Sequence, residues 1–133
     1  MEWVVRAGIA QPQMLIDGYD LHSGAPGIYG FSVQYAPGVM PSKTIDELAQ
    51  AGQFSNGQIS YAYDGDLAAA LLPLGYGMSL IKTPGQGYHH TFMVLYDATG
   101  QMLTVLPADA AQAISATFRR MKNPYRVPYR RHP

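Results

Sequence analysis

Tyr88-His89-His90-Thr91-Phe92-Met93-Val94-Leu95-Tyr96-Asp97-Ala98-Thr99-Gly100 is the stretch on which the fold turns. Residues 88–96 are dense in aromatic and aliphatic side chains and end at turn residues 97–100, which predicts a strand running into a tight turn. A return strand over 102–106 would follow it. Upstream, Thr83-Pro84-Gly85-Gln86-Gly87 reads as a short loop that joins this strand to one over 78–82. Three successive strands without a helix between them predict an antiparallel meander, which separates this chain from a pure strand–helix alternation.

Towards the N-terminus the alternation returns. Residues 2–6 predict a strand with Trp3 and Val5 on one face and Val4 and Arg6 on the other. Residues 28–35 set Tyr29, Phe31, Val33 and Tyr35 against Gly30, Ser32 and Gln34, and residues 58–63 set Ile59, Tyr61 and Tyr63 against Gln58, Ser60 and Ala62. Between them, residues 19–27 read as loop. Pro12 opens a short helix that Gly18 closes, and Thr44-x-x-Glu47 is a capping box for a helix over 44–51 with Gly52 as its stop. Asp64 or Asp66 caps a helix over 66–72. Pro107 opens a last helix whose apolar stripe is Ala110, Ile114, Thr117, Phe118 and Met121. The order predicts an α+β fold: a mixed sheet of five or six strands with three to four helices packed mainly on one face. Residues 1–122 are expected to form one domain, and 123–133 a basic tail.

Composition narrows the classes. At 133 residues, 47% of them hydrophobic, a single domain with an ordinary core is expected and full disorder is excluded. No cysteine is present, so disulfide frameworks and thiolate metal sites are impossible. No apolar run approaches the roughly 18 residues of a membrane span, so no membrane partner is expected. Met1–Arg6 lacks a basic segment followed by a long apolar one, which predicts no cleavable secretory signal. The cytoplasm and export by another route both stay open.

A formal net charge of zero hides an asymmetry. Residues 1–118 hold three Lys/Arg against nine acids, a formal charge of −6, while 119–133 hold six Lys/Arg and no acid. The tail interleaves Tyr125 and Tyr129 with Arg126, Arg130 and Arg131, and its prolines favour an extended path. Such a tail suits three partners: RNA or a nucleotide, an acidic protein such as an inhibitor, or the chain's own acidic body. Arg119, Arg120 and Lys122 also fit the C-terminal end of the last helix, where cations complement the helix dipole.

The chemistry concentrates after the glycine-rich loop. Adjacent strand residues face opposite ways, so His89 is expected beside Thr91, and His90 beside Tyr88 and Phe92. That opposes a two-histidine metal site, and Asp64-Gly65-Asp66 is too short for a calcium loop, so no metal is expected. One histidine of the pair remains a candidate general acid or base. Arg6, at the end of the first strand, is a candidate phosphate grip. The reading assigns His89, His90, Arg6 and Thr91 to catalysis and Ser32, Gln34, Lys82, Tyr88, Arg126 and Arg130 to substrate binding. The activity expected is that of a small, bacterial, toxin-like enzyme acting on RNA or a nucleotide without metal or other cofactor. The alternative is a non-catalytic interaction module with an acidic body and a basic tail.

Two resemblances accompany this reading. His89-His90-Thr91 resembles one half of the motif of two-histidine phosphoesterases, whose second half the chain lacks. Arg6 on a first strand followed by Phe31-Ser32 on a second resembles the opening of the Arg–Ser–Glu class of bacterial ADP-ribosyltransferase toxins. That resemblance implies that Arg6 and Ser32 position NAD while a later glutamate activates the sugar. The only glutamates here are Glu2 and Glu47, neither beyond the third strand.

Overall fold

The computed structural model describes residues 1–85 and 87–128. Seven strands, β1 (Trp3–Ala7), β2 (Asp20–Leu21), β3 (Tyr29–Tyr35), β4 (Gln58–Tyr63), β5 (Gly77–Lys82), β6 (His90–Tyr96) and β7 (Arg119–Lys122), combine with four helices. These are α1 (Pro12–Gly18), α2 (Ile45–Gly52), α3 (Asp64–Leu71) and α4 (Ala108–Thr117). The sheet order is β5-β6-β3-β1-β4-β7, with β2 attached to β3.

The α+β class and the placement of helices mainly on one face hold. The expected mixed sheet is corrected: every described pairing is antiparallel. The β3–α2–β4 crossover does join two strands that run the same way. However, β1 lies between them and opposes both, so no parallel ladder forms.

Alternation sorts the side chains as the sequence implies. Val4, Phe31, Val33 and Ala62 enter a large core with Leu15, Leu67, Leu71 and Ile114 from α1, α3 and α4. Val5 and Ile59 enter a smaller core beneath Leu48 and Ala49 of α2, flanked by Trp3 and Tyr61. The capping box of α2 is formed: the Glu47 amide donates to Thr44 Oγ1 and the Thr44 amide to Glu47 Oε1, both at 3.1 Å.

Two elements depart from expectation. No strand forms over 102–106, where only Met102 bridges Tyr96. Both edges of β6 are already paired, to β3 and β5, so the return segment leaves the sheet and carries Leu106 into the large core. The last helix stops at Thr117, Phe118 is extended, and Arg119–Lys122 pair with β4 as an edge strand. The helix-dipole role expected for Arg119, Arg120 and Lys122 therefore falls away. They are charges on a sheet edge, where they deter further strand addition.

Candidate functional site

β1 is paired to β4 along its whole length but to β3 only at Val4 and Val5. Beyond Val5 the two strands part, and the sheet opens a seam at Arg6 and Ala7 opposite Ser32 and Val33. Arg6 spans it, its Nη1 donating to the Ser32 carbonyl at 2.8 Å. The guanidinium also sits 4.9 Å from the Phe31 ring centroid. Burial pulls the Arg6 pKa down to about 10, so the group stays charged at neutral pH. Among the described residues no carboxylate forms an ion pair with it.

His90 stands across β3 from the seam, one strand away. Its Nε2 lies 3.1 Å from Ser32 Oγ and its Nδ1 3.0 Å from Thr83 Oγ1. The Thr83 backbone also bonds the ring. A backbone bond that raises an imidazole pKa is one that accepts from the ring, so we assign the proton to the ring nitrogen on the Thr83 side. Nε2 then presents its lone pair to Ser32. Burial pushes His90 below the ordinary imidazole value. The Thr83 backbone bond works against this, and nearby His22 works with it. His90 is therefore neutral at pH 7. Gly85 packs flat on the His90 ring, where a Cβ would strike Nδ1. The glycine is there for close approach.

Arg6, Ser32 and His90 line one cavity of about 260 Å³, with Ala7, Gln34, Gly52 and Phe54 completing its wall. Ser32 is exposed, Gln34 buried, and Gln34 lies beneath Gly87. The three polar groups thus come from β1, β3 and β6, and a hydroxyl–imidazole–hydroxyl relay faces a fixed cation.

The remaining candidates fall elsewhere. His89 precedes β6 in a turn. It lines a groove with Lys43 and Gln50 and, behind β6, a cavity of about 200 Å³ with Lys82 and Thr91. Burial, then the charges of Lys43 and Lys82, lower its pKa. Thr91 is buried, faces away from His90 and donates its hydroxyl to the His89 carbonyl at 3.0 Å. Tyr88 is 86% exposed and lies outside the strand. Arg126 is distant in function from the relay: its Nε donates to the Ser55 carbonyl at 2.8 Å. Arg130 lies outside the described residues.

Two contributors carried little signal in the sequence. Thr83 belonged to the loop motif but looked like a turn residue. His22 sat in a segment loop-like by composition, yet its ring centroid is 5.5 Å from His90 and 4.6 Å from Phe92. The Gly24 amide donates to His22 Nδ1 at 2.9 Å, which leaves Nε2 available. Among the described residues no three His, Asp or Glu side chains group as a metal site. Comparison with protein-family models, curated proteins and solved structures found no match to this chain.

Proposed function

We propose that the Arg6–Ser32–His90 cavity is the acid–base centre of a small, toxin-like enzyme that cleaves a phosphodiester in RNA or a nucleotide. The observation that carries this reading is the 3.1 Å contact of a neutral His90 Nε2 with Ser32 Oγ in a cavity that Arg6 shares. In this reading a substrate 2′-hydroxyl binds beside Ser32 and gives its proton to His90 Nε2. Its oxygen bonds to the adjacent phosphorus, and the bond from phosphorus to the 5′-oxygen breaks. The proton that His90 has taken is then passed on to that leaving oxygen, which returns the ring to its neutral form. Arg6 holds the charge that builds on the phosphoryl oxygens.

The test is cleavage of single-stranded RNA by purified protein, with and without a chelator. His90→Ala is expected to lower kcat by about 10²- to 10⁴-fold, and Arg6→Ala by about 10²- to 10³-fold. Full activity in both variants would sink the reading.

The 2.8 Å bond between Arg6 and the Ser32 carbonyl also favours a second reading, a NAD-using ADP-ribosyltransferase-like domain in which this pair grips the dinucleotide. It lacks a placed glutamate, because Glu47 is engaged in the α2 cap and with Lys43. NAD consumption by the wild type, abolished in Ser32→Ala and Arg6→Ala, would establish it over RNA cleavage.

A further inference from the structure

A second cavity lies apart from the acid–base centre. It is a groove of about 570 Å³ between α2 and the loop before β6, within the range of small-molecule sites. Glu47 and Gln50 of α2, with Lys43 and Gln53 at its two ends, form one wall, and Tyr88 and His89 the opposite one.

Its charge is balanced. Lys43 Nζ pairs with Glu47 Oε2 at 3.4 Å, and the lowered pKa of His89 keeps the imidazole neutral at pH 7. A groove of this kind suits an uncharged polar group rather than a phosphate. Tyr88 offers an almost fully exposed ring, and two glycines beside it admit a flat ligand close to the backbone. Gln50 brings a side-chain amide, which carries both donors and an acceptor for the edge of a heterocycle.

Backbone geometry marks the same place. Gln53 adopts φ 51, the single positive φ at a non-glycine among the described residues. It is the left-handed cap that ends α2, its amide donating to the Gln50 carbonyl, and it fixes where the groove wall turns. Gly87, at φ 85, lies against the Ala51 carbonyl where no Cβ fits, so the loop is seated on the end of α2. The groove and the acid–base cavity share a partition. Gly85 lines the groove and packs on His90, while Ala51 and Gln53 flank Gly52 of the cavity wall.

We propose that this groove is a nucleobase subsite, with a base stacked on Tyr88 and read by Gln50 while its phosphate reaches Arg6 and His90. The proposal rests on the phosphodiester reading of the neighbouring cavity and names the substrate as a base-bearing nucleotide.

The experiment uses the full chain carrying His90→Ala, titrated by calorimetry with uridine monophosphate, adenosine monophosphate and ribose 5-phosphate. A nucleoside monophosphate is expected to bind about tenfold or more tightly than ribose 5-phosphate. Adding Tyr88→Ala should remove that advantage, and Tyr88→Phe should keep it. Tyr88 is exposed, so neither change threatens folding. Equal binding of ribose phosphate and nucleotides, or base-dependent binding untouched by Tyr88→Ala, would overturn the subsite. Base-dependent binding through Tyr88 in a protein whose wild type cleaves no RNA would keep the subsite and remove the enzyme reading instead.

Discussion

The two faces of the sheet are covered to different depths. On one, α1, α3 and α4 enclose a core of fifteen buried residues. On the other, α2 stands nearly alone over five. The deep face is filled with Leu, Val, Ile, Ala and Met, and its hydroxyls are tied down: Tyr19 donates to the Leu103 carbonyl and Tyr35 to Asp64. The shallow face carries Ser32, Gln34 and His90 on neighbouring strands beside a seam that one helix cannot close. A fully packed layer has no room for a substrate and no tolerance for unsatisfied polar groups. The half-covered layer leaves a cavity, so the packed core and the proposed site occupy opposite sides of one sheet.

Matched truncations test that division, and the largest effect belongs to the deep face. Leu67→Ala, in α3, is expected to cost about 3–5 kcal/mol, and Leu48→Ala, in α2, about 2–3 kcal/mol. Urea midpoints at unchanged slope measure both. Leu67→Ala should leave kcat/KM per folded molecule intact, whereas Leu48→Ala loosens the α2 wall and should raise KM. Equal losses of stability, or an activity defect in Leu67→Ala, would break the division.

Asn123→Ala is expected next in size, at about 1–3 kcal/mol, because it removes both hydrogen bonds donated by a buried amide. Asn123 is buried, and its amide donates to the carbonyls of Phe54 (3.2 Å) and Asn56 (2.9 Å). Phe54 walls the cavity, so this single side chain ties the segment after β7 to the shallow face. The measurement is thermal melting alongside KM. A stability loss with KM unchanged would show that the loop keeps its place without Asn123.

How much of this was legible depended on whether a residue's role was local. The faces of β1, β3 and β4, the α2 capping box and the α+β class follow from alternation and short-range caps, so the sequence carries them directly. The convergence of Arg6, Ser32 and His90 depends on which strands become neighbours. Arg6 and Ser32 stood out as residue types, but their pairing with His90 is set by the order β6-β3-β1. β7 was hidden because Arg119-Arg120-Met121-Lys122 has one apolar residue and continues a helical stripe. Only the free edge of β4 makes it a strand. Thr83 and His22 took their roles from loop packing, which leaves no period to read.

A smaller effect lies in the pH dependence. The His90 pKa is lowered by burial, so between its folded value and about 6.5 the unfolded chain binds more protons. Stability should be level above about pH 6.5 and fall as pH drops below it, with His89 adding in the same direction. His90→Ala should flatten part of that fall. Activity that needs neutral His90 should persist below pH 6.5, and a kcat/KM profile already falling above pH 7 would contradict the assignment of His90 as base.

Arg126→Ala is the smallest expected change and the most discriminating for the tail. Arg126 makes one bond, to an exposed carbonyl, and Val127 donates to the Phe54 carbonyl independently of it. Its loss should cost about 0.5 kcal/mol or less. The residue is nonetheless a cation fastened one position from the cavity wall at Phe54, with no carboxylate paired to it among the described residues. If it only clasps the loop, RNA affinity and its dependence on salt should not move. If it meets a phosphate, the slope of log affinity against log salt should shrink by about one, with affinity lowered evenly across sequences. The two outcomes separate a contact that merely completes the shallow face from one that extends it towards substrate.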